Sequence, residues 1–181
     1  MFARSLIVLG SLLSACGGAS RAPELPLRAP CAVDDDGCRA ERLGDVAFGG
    51  LRLGITRAEL EALLGPPSEV GESEEMAATG LFVRELGWPE AGVRASVAAT
   101  AAGQLEHLDG FTVMAPFAGK TSKGVGIGSA EAAVLAAYAE AIDGQATAPG
   151  ERVVAGSLFG GAIFDLSGGV VVSVFVGAAA E

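Results

Sequence analysis

The chain has 181 residues, with 12 Lys and Arg against 22 Asp and Glu, a formal net charge of −10. Nucleic-acid binding depends on basic groups neutralising phosphates, so this balance excludes nucleic acid as a partner. It equally disfavours electrostatic attraction of the folded surface to anionic lipid, and the length beyond the N-terminal quarter suits one domain.

Residues 5–13 form an apolar run behind Arg4. A charged start, an apolar middle of about 7–15 residues and small residues at the cut define a signal peptide, so residues 1–15 are expected to be one. A spanning helix needs about 20 apolar residues, which neither this run nor the later run 170–180 supplies. Leu13-Ser14-Ala15-Cys16 closes the leader and resembles the lipobox of bacterial lipoproteins at every position. The resemblance implies that Cys16 is acylated and becomes the first mature residue. Two or more acyl chains give stable anchoring, so the only expected membrane contact is that anchor. Loss of Arg4 with the leader leaves 11 basic and 22 acidic residues, a net charge near −11. Gly17 follows the cysteine. Aspartate at that place is the usual inner-membrane retention signal in well-studied envelopes, so an exported protein held at the outer membrane is expected.

Residues 16–45 are rich in Pro, Arg, Ala and Asp, with little apolar periodicity, and are expected to form a flexible lipidated tether. Within it lie Cys31 and Cys38, an even pair for an oxidising compartment. A disulfide between them closes a small loop and contributes roughly 2–3 kcal/mol if the loop belongs to the fold. Two reduced thiols are the alternative, which a free-thiol assay separates. The run Asp34-Asp35-Asp36-Gly37 places its acids side by side, whereas a calcium loop spaces them at alternate positions and closes with a distal glutamate. A solvated acidic turn is the expectation.

Residues 46–178 are expected to be an α+β domain made of two copies of one unit, about 46–114 and 120–177. Shifting the chain by 74 residues aligns Gly54 with Gly128, Leu60 with Val134 and Leu64 with Tyr138. In the first copy Thr56 and Glu59 fit a capping box, and Ile55 and Leu60 sit where a hydrophobic staple lies. Leu60, Leu63 and Leu64 make an inward stripe, with Gly65 and Pro66-Pro67 as the stop. In the second copy Ser129 is the expected cap and Glu131 favours the positive helix end. Val134, Tyr138, Ala141 and Ile142 form its stripe, and the helix is expected to run on to Asp143 before Gly144. Segment 69–79 reads as a loop or a short helix. Strands are expected at 81–86, 93–100 and 104–113, and again at 152–155, 162–166 and 170–176, with turns at Ala102-Gly103 and Ser167-Gly168-Gly169. Helix then meander, twice, gives tandem units with helices packed on one face of an antiparallel sheet.

The phrase Leu53-Gly54-Ile55-Thr56-x-x-x-Leu60-x-x-x-Leu64-Gly65-x-Pro67 resembles the repeat of the SmpA/OmlA small lipoproteins and of the β-lactamase inhibitory protein. Gly126-Ile127-Gly128-Ser129-x-x-x-x-Val134-x-x-x-Tyr138 resembles its second copy, departing at Ala139, where the first copy has Gly65. Members of these families are non-catalytic and present a sheet or helix-loop surface to another protein. The resemblance implies a non-enzymatic, protein-binding or assembly module of the cell envelope, its partner another envelope or exported protein. An inhibitor-like module that binds an exported enzyme is the alternative, and a small-ligand carrier a more distant one.

The side chains that carry chemistry are sparse. His107 lies in an expected strand between Glu106 and Leu108, and strand neighbours point to opposite faces, so it reads as a surface or edge histidine. Met114 replaces the first glycine that a phosphate loop ending at Lys120-Thr121 requires. The glycines at 124, 126 and 128 lack the preceding strand of a dinucleotide site. No zinc set is available, and no metal or cofactor is expected. Trp88 ends a strand before Pro89; it is either an exposed anchor of the kind enriched in interfaces or a core-edge residue, and it is the candidate interface residue.

Overall fold

The computed structural model describes residues 31–32, 35–44 and 46–178. Cys16, the lipobox and the leader lie outside the described residues. Among the described residues three α-helices accompany an antiparallel sheet of eight strands, an α+β fold. Helices α1, Asp36–Leu43, and α2, Arg57–Leu64, precede strands β1, Glu69–Val70, and β2, Glu74–Glu75. A meander follows of β3, Phe82–Trp88, β4, Val93–Ala99, and β5, His107–Met114. Helix α3, Glu131–Ala137, leads to the second meander of β6, Arg152–Ser157, β7, Gly160–Ser167, and β8, Val170–Gly177. The strand order is β1-β3-β4-β5-β8-β7-β6, with β2 also on β3, so the two meanders meet through their last strands.

Helix α2 forms as the sequence grammar dictates. The Thr56 hydroxyl accepts the Glu59 N–H, Glu59 accepts from the Thr56 N–H, and Gly65 closes the helix by donating to Glu61 O. Leu60 is fully buried; truncating such a residue to Ala costs about 2–5 kcal/mol. The Gly54 N–H donates to Leu108 O at 2.7 Å, and the Leu108 N–H returns to Ile55 O at 2.7 Å, pinning the entry of α2 to β5. At α3 the Gly128 N–H donates to Val171 O at 2.8 Å, and the Val171 N–H to Ser129 O at 2.9 Å. Both glycines have φ +81, a left-handed conformation that glycine adopts without strain.

The second helix departs from expectation. It ends at Ala137 rather than Asp143, and Ala130 rather than Ser129 takes the N-cap position, with no side-chain bond. The Ser129 hydroxyl instead accepts the Gly126 N–H at 3.0 Å, which commits it to the preceding turn. The Lys123 ammonium donates to Ala137 O at 2.8 Å and stops the helix. Beyond it the Asp143 N–H donates to Val154 O and the Gly156 N–H to Ala141 O, so the chain lines the edge of β6 in place of another helical turn.

Two further differences lie nearer the N-terminus. Segment 69–79 holds two short exposed strands on β3 and no helix. The expected flexible tether does not hold over 36–43, which is helix α1 lying against β6 and β7. Asp35 caps it by accepting the Cys38 N–H at 2.8 Å. Arg39, 5% exposed, donates to Gly156 O at 3.0 Å and pairs with Asp143 at 3.6 Å and with Asp36. Low apolar periodicity pointed to a tether, whereas a buried guanidinium with satisfied partners holds this segment.

One face of the sheet supplies the core. Alternate residues Val93, Ala95 and Val97 of β4, Phe111 and Val113 of β5, Val174 and Val176 of β8 and Phe164 of β7 are buried together with Leu60, Val134 and Tyr138 of the helices. The Phe48 ring stands edge-on to Phe111, centroids 6.3 Å apart, and 6.4 Å from Phe164.

Candidate functional site

The registers place a second set of side chains on the other face of the sheet. One row crosses it as Gly87, Arg94, Thr112, Phe175, Ile163 and Val154, each opposite the next. A second row is Met114, Ser173, Asp165 and Arg152. Arg94, Met114 and Arg152 are exposed, and Thr112, Ser173, Phe175 and Asp165 half-buried. Ile163 and Val154 are buried at the β6 end. The Phe175 ring lies across Gly110 and Gly177: a Cβ added at Gly177 would meet it at 3.0 Å, and one at Gly110 at 3.6 Å. Glycine at 177 therefore makes room for the ring, while a Cβ at 110 would meet it at ordinary contact distance. Arg152 and Asp165 pair across strands at 3.0 Å. In a strongly acidic chain the accessible part of this face mixes Arg, Thr, Ser, Asp, Met and Phe.

A second polar constellation closes one end of the core. Glu106 accepts from Arg84 Nε at 2.9 Å and Arg57 Nη1 at 3.0 Å, while Arg57 Nε also donates to Glu61 at 2.7 Å. Burial pushes the Glu106 carboxyl up, but the hydrogen bonds from Arg84 and Arg57 outweigh it and hold the group below the usual carboxylate range. The hydrogen bonds to Glu61 and then Glu106 push Arg57 further up. Burial raises Tyr138, partly offset by its hydrogen bond with Thr121. Arg57, Glu61, Arg84 and Glu106 satisfy one another and join α2 and β3 to the residue just before β5.

Trp88 is 5% exposed, and its indole N–H donates to Gly65 O at 2.9 Å. The candidate interface residue is thus corrected to a core residue that caps the end of α2. Its polar tip has a partner inside the fold, which removes the reason to stand at the surface. His107 is exposed, with Nδ1 3.1 Å from Gly54 O. The Sγ atoms of Cys31 and Cys38 are 1.99 Å apart, at disulfide distance. Of the acidic run, Asp35 caps α1 and Asp36 pairs with Arg39. The glycines at 124 and 128 have positive φ and serve turns before α3.

The sequence reading missed Arg94, Thr112, Met114 and Phe175. Alternation in 107–114 carried the signal for two of them, but Phe175 is hidden inside the continuous apolar run of β8. Among the described residues, no group of three or more His, Cys, Asp or Glu is arranged to hold a metal ion, and no helix is long and apolar enough to cross a membrane. Comparison with protein-family models, with curated proteins and with solved structures finds no match.

Proposed function

We propose that the chain is a non-catalytic, lipid-anchored protein of the cell envelope that binds another protein through the non-core face of its sheet. The observation that carries this reading is the row Arg94, Thr112, Phe175 with Met114 beside it: accessible, chemically mixed side chains on rigid strands. The anchor rests on Leu13-Ser14-Ala15-Cys16, and the class of protein on the likeness to the SmpA/OmlA repeat.

We further read the domain as a duplicated helix-plus-meander unit with its helices on the core face. The paired bonds at Gly54 and Gly128 support this, and so does the sheet register. Ser96 lies opposite Gly110 and Val97 opposite Leu108, leaving Asp109 bulged. Asp165 lies opposite Ser173 and Leu166 opposite Val171, leaving Val172 bulged in the same place of the second meander. A bulge is a local feature that unrelated meanders have no reason to share. Leu60 of α2 and Val134 of α3 enter one core cluster with the same strand face.

The test is a photo-crosslinking residue placed at Met114, and for control at Leu135, exposed on α3, in intact cells. A defined envelope protein trapped from 114 but not from 135 supports the reading. A soluble exported hydrolase trapped there turns it to the inhibitor alternative. Adducts only from 135 overturn the choice of face. Cys16→Ser tests the anchor separately: a product still processed and membrane-held refutes it.

A further inference from the structure

A cavity of about 200 Å³ opens where the C-terminal end of α1 meets the loop before Gly54 and the β6–β7 hairpin. Its wall includes Leu43, Leu53, Val176, Gly160, Gly161 and Arg52, and its other lining residues are small or apolar. For scale, an apolar cavity of about 150 Å³ accepts benzene. Among the described residues Arg52 is the single charged one in the lining, a cation in a chain with nearly twice as many acids as bases. Among the described residues it makes no hydrogen bond or ion pair; the Glu59 carboxyl is lowered first by the hydrogen bonds from the Thr56 N–H and hydroxyl, with the Arg52 charge a lesser contribution.

The glycines separate two reasons for the opening. Gly161 is required by the fold, because a Cβ there would meet Ala155 O at 2.4 Å. Gly160 is not: its φ is outside the left-handed region, and an added Cβ meets nothing within 4 Å. A strand position open to a Cβ ordinarily favours a β-branched or aromatic residue over glycine. Glycine at 160 therefore leaves volume unfilled without any demand from the backbone. The opposite wall is held firmly, since α1 is fixed to β6 by Arg39 on Gly156 O.

We propose that this cavity binds a small carboxylate with an apolar body of about ring size, its anion facing Arg52. The body displaces water from Leu43, Leu53 and Val176, and the carboxylate pairs with a guanidinium that no hydrogen bond holds among the described residues. This site is separate from the sheet face and does not rest on its role.

The probes are 4-fluorophenylacetate and its neutral amide, 4-fluorophenylacetamide, observed by fluorine NMR with the full chain in phosphatidylcholine nanodiscs and with empty discs as blank. Saturable binding of the acid with a Kd of about 1 mM or tighter is expected. Gly160→Leu starts from a Cβ with no neighbour within 4 Å and is expected to fill the cavity, weakening both probes at least about tenfold while its urea midpoint stays level or rises. Arg52→Gln weakens the acid about threefold, the worth of an exposed ion pair, and leaves the amide unchanged. No saturable signal above the blank, or wild-type binding by the folded Gly160→Leu chain, overturns the site. Equal loss of acid and amide in Arg52→Gln overturns the assignment of a carboxylate.

Discussion

Glu106→Gln perturbs the constellation that joins α2 and β3 to the residue just before β5, while keeping the side-chain shape. Its carboxylate is 15% exposed and accepts one bond from each of two arginines, themselves 30% and 27% exposed. A hydrogen bond to a charged group contributes about 1.5–3 kcal/mol net, and partial exposure moves these toward the lower end. Glutamine keeps one acceptor and turns an NH2 toward the other arginine, but Arg57 retains Glu61 and Arg84 retains Gly71 O at 3.0 Å. The expected loss is about 2 kcal/mol, or about 4–8 °C in Tm. The sign with pH follows from the depressed carboxyl. Its stabilisation is fully present above the ordinary value of 4.5 and is lost as pH falls through the lower folded value. Urea unfolding of both chains between about pH 7 and pH 2 measures this. Wild type should lead at neutrality, and the lead should narrow below pH 4.5. A difference under about 0.5 kcal/mol at pH 7, or one that stays constant to pH 2, refutes the argument.

Three other outcomes follow from the same contacts. The single tryptophan, Trp88, should resist acrylamide quenching until the fold melts, and Trp88→Phe should cost about 1–2 kcal/mol by removing the bond to Gly65 O. Arg39→Ala strips α1 of its buried partners and leaves Asp143 with the Gln145 and Ala146 N–H groups but without this guanidinium, so the amides of 36–43 should lose about 2–4 kcal/mol of exchange protection while β4 and β5 keep theirs. Gly54→Ala and Gly128→Ala meet no atoms within 4 Å, so the cost of each is the left-handed backbone alone, about 1–2 kcal/mol, and the two should agree within about 0.5 kcal/mol. Unequal costs would count against equivalent positions in two units.

The elements with strong local grammar were legible in the chain. Thr56, Glu59 and Gly65 state a helix through capping chemistry that needs no tertiary partner, and both meanders were visible as apolar segments split by glycine turns. What escaped depended on distant groups. Helix α1 exists because Arg39 finds Gly156 and Asp143, more than a hundred residues away, and no local pattern records that. The early end of α3 reflects competition from the edge of β6, which again lies outside any local window. Trp88 was ambiguous because its depth is decided by Gly65 O, the carbonyl of a helix end. The accessible face of the sheet was illegible for a simpler reason: β8 is apolar on both sides, so its sequence does not say which side faces solvent.

The two margins of the sheet have different fates. The β6 margin is occupied by the chain at 141–143, while the β3 margin ends in exposed Glu69, Glu74 and Glu75. An unsatisfied strand margin is a template for endless side-by-side stacking. Here two copies approaching along it would bring rows of carboxylates together, with a repulsion that fades only beyond about 8 Å at physiological salt. Crowding many molecules into a small area should therefore not string them into ribbons, and high salt or acid, by muting those carboxylates, is the condition under which such ribbons would first form.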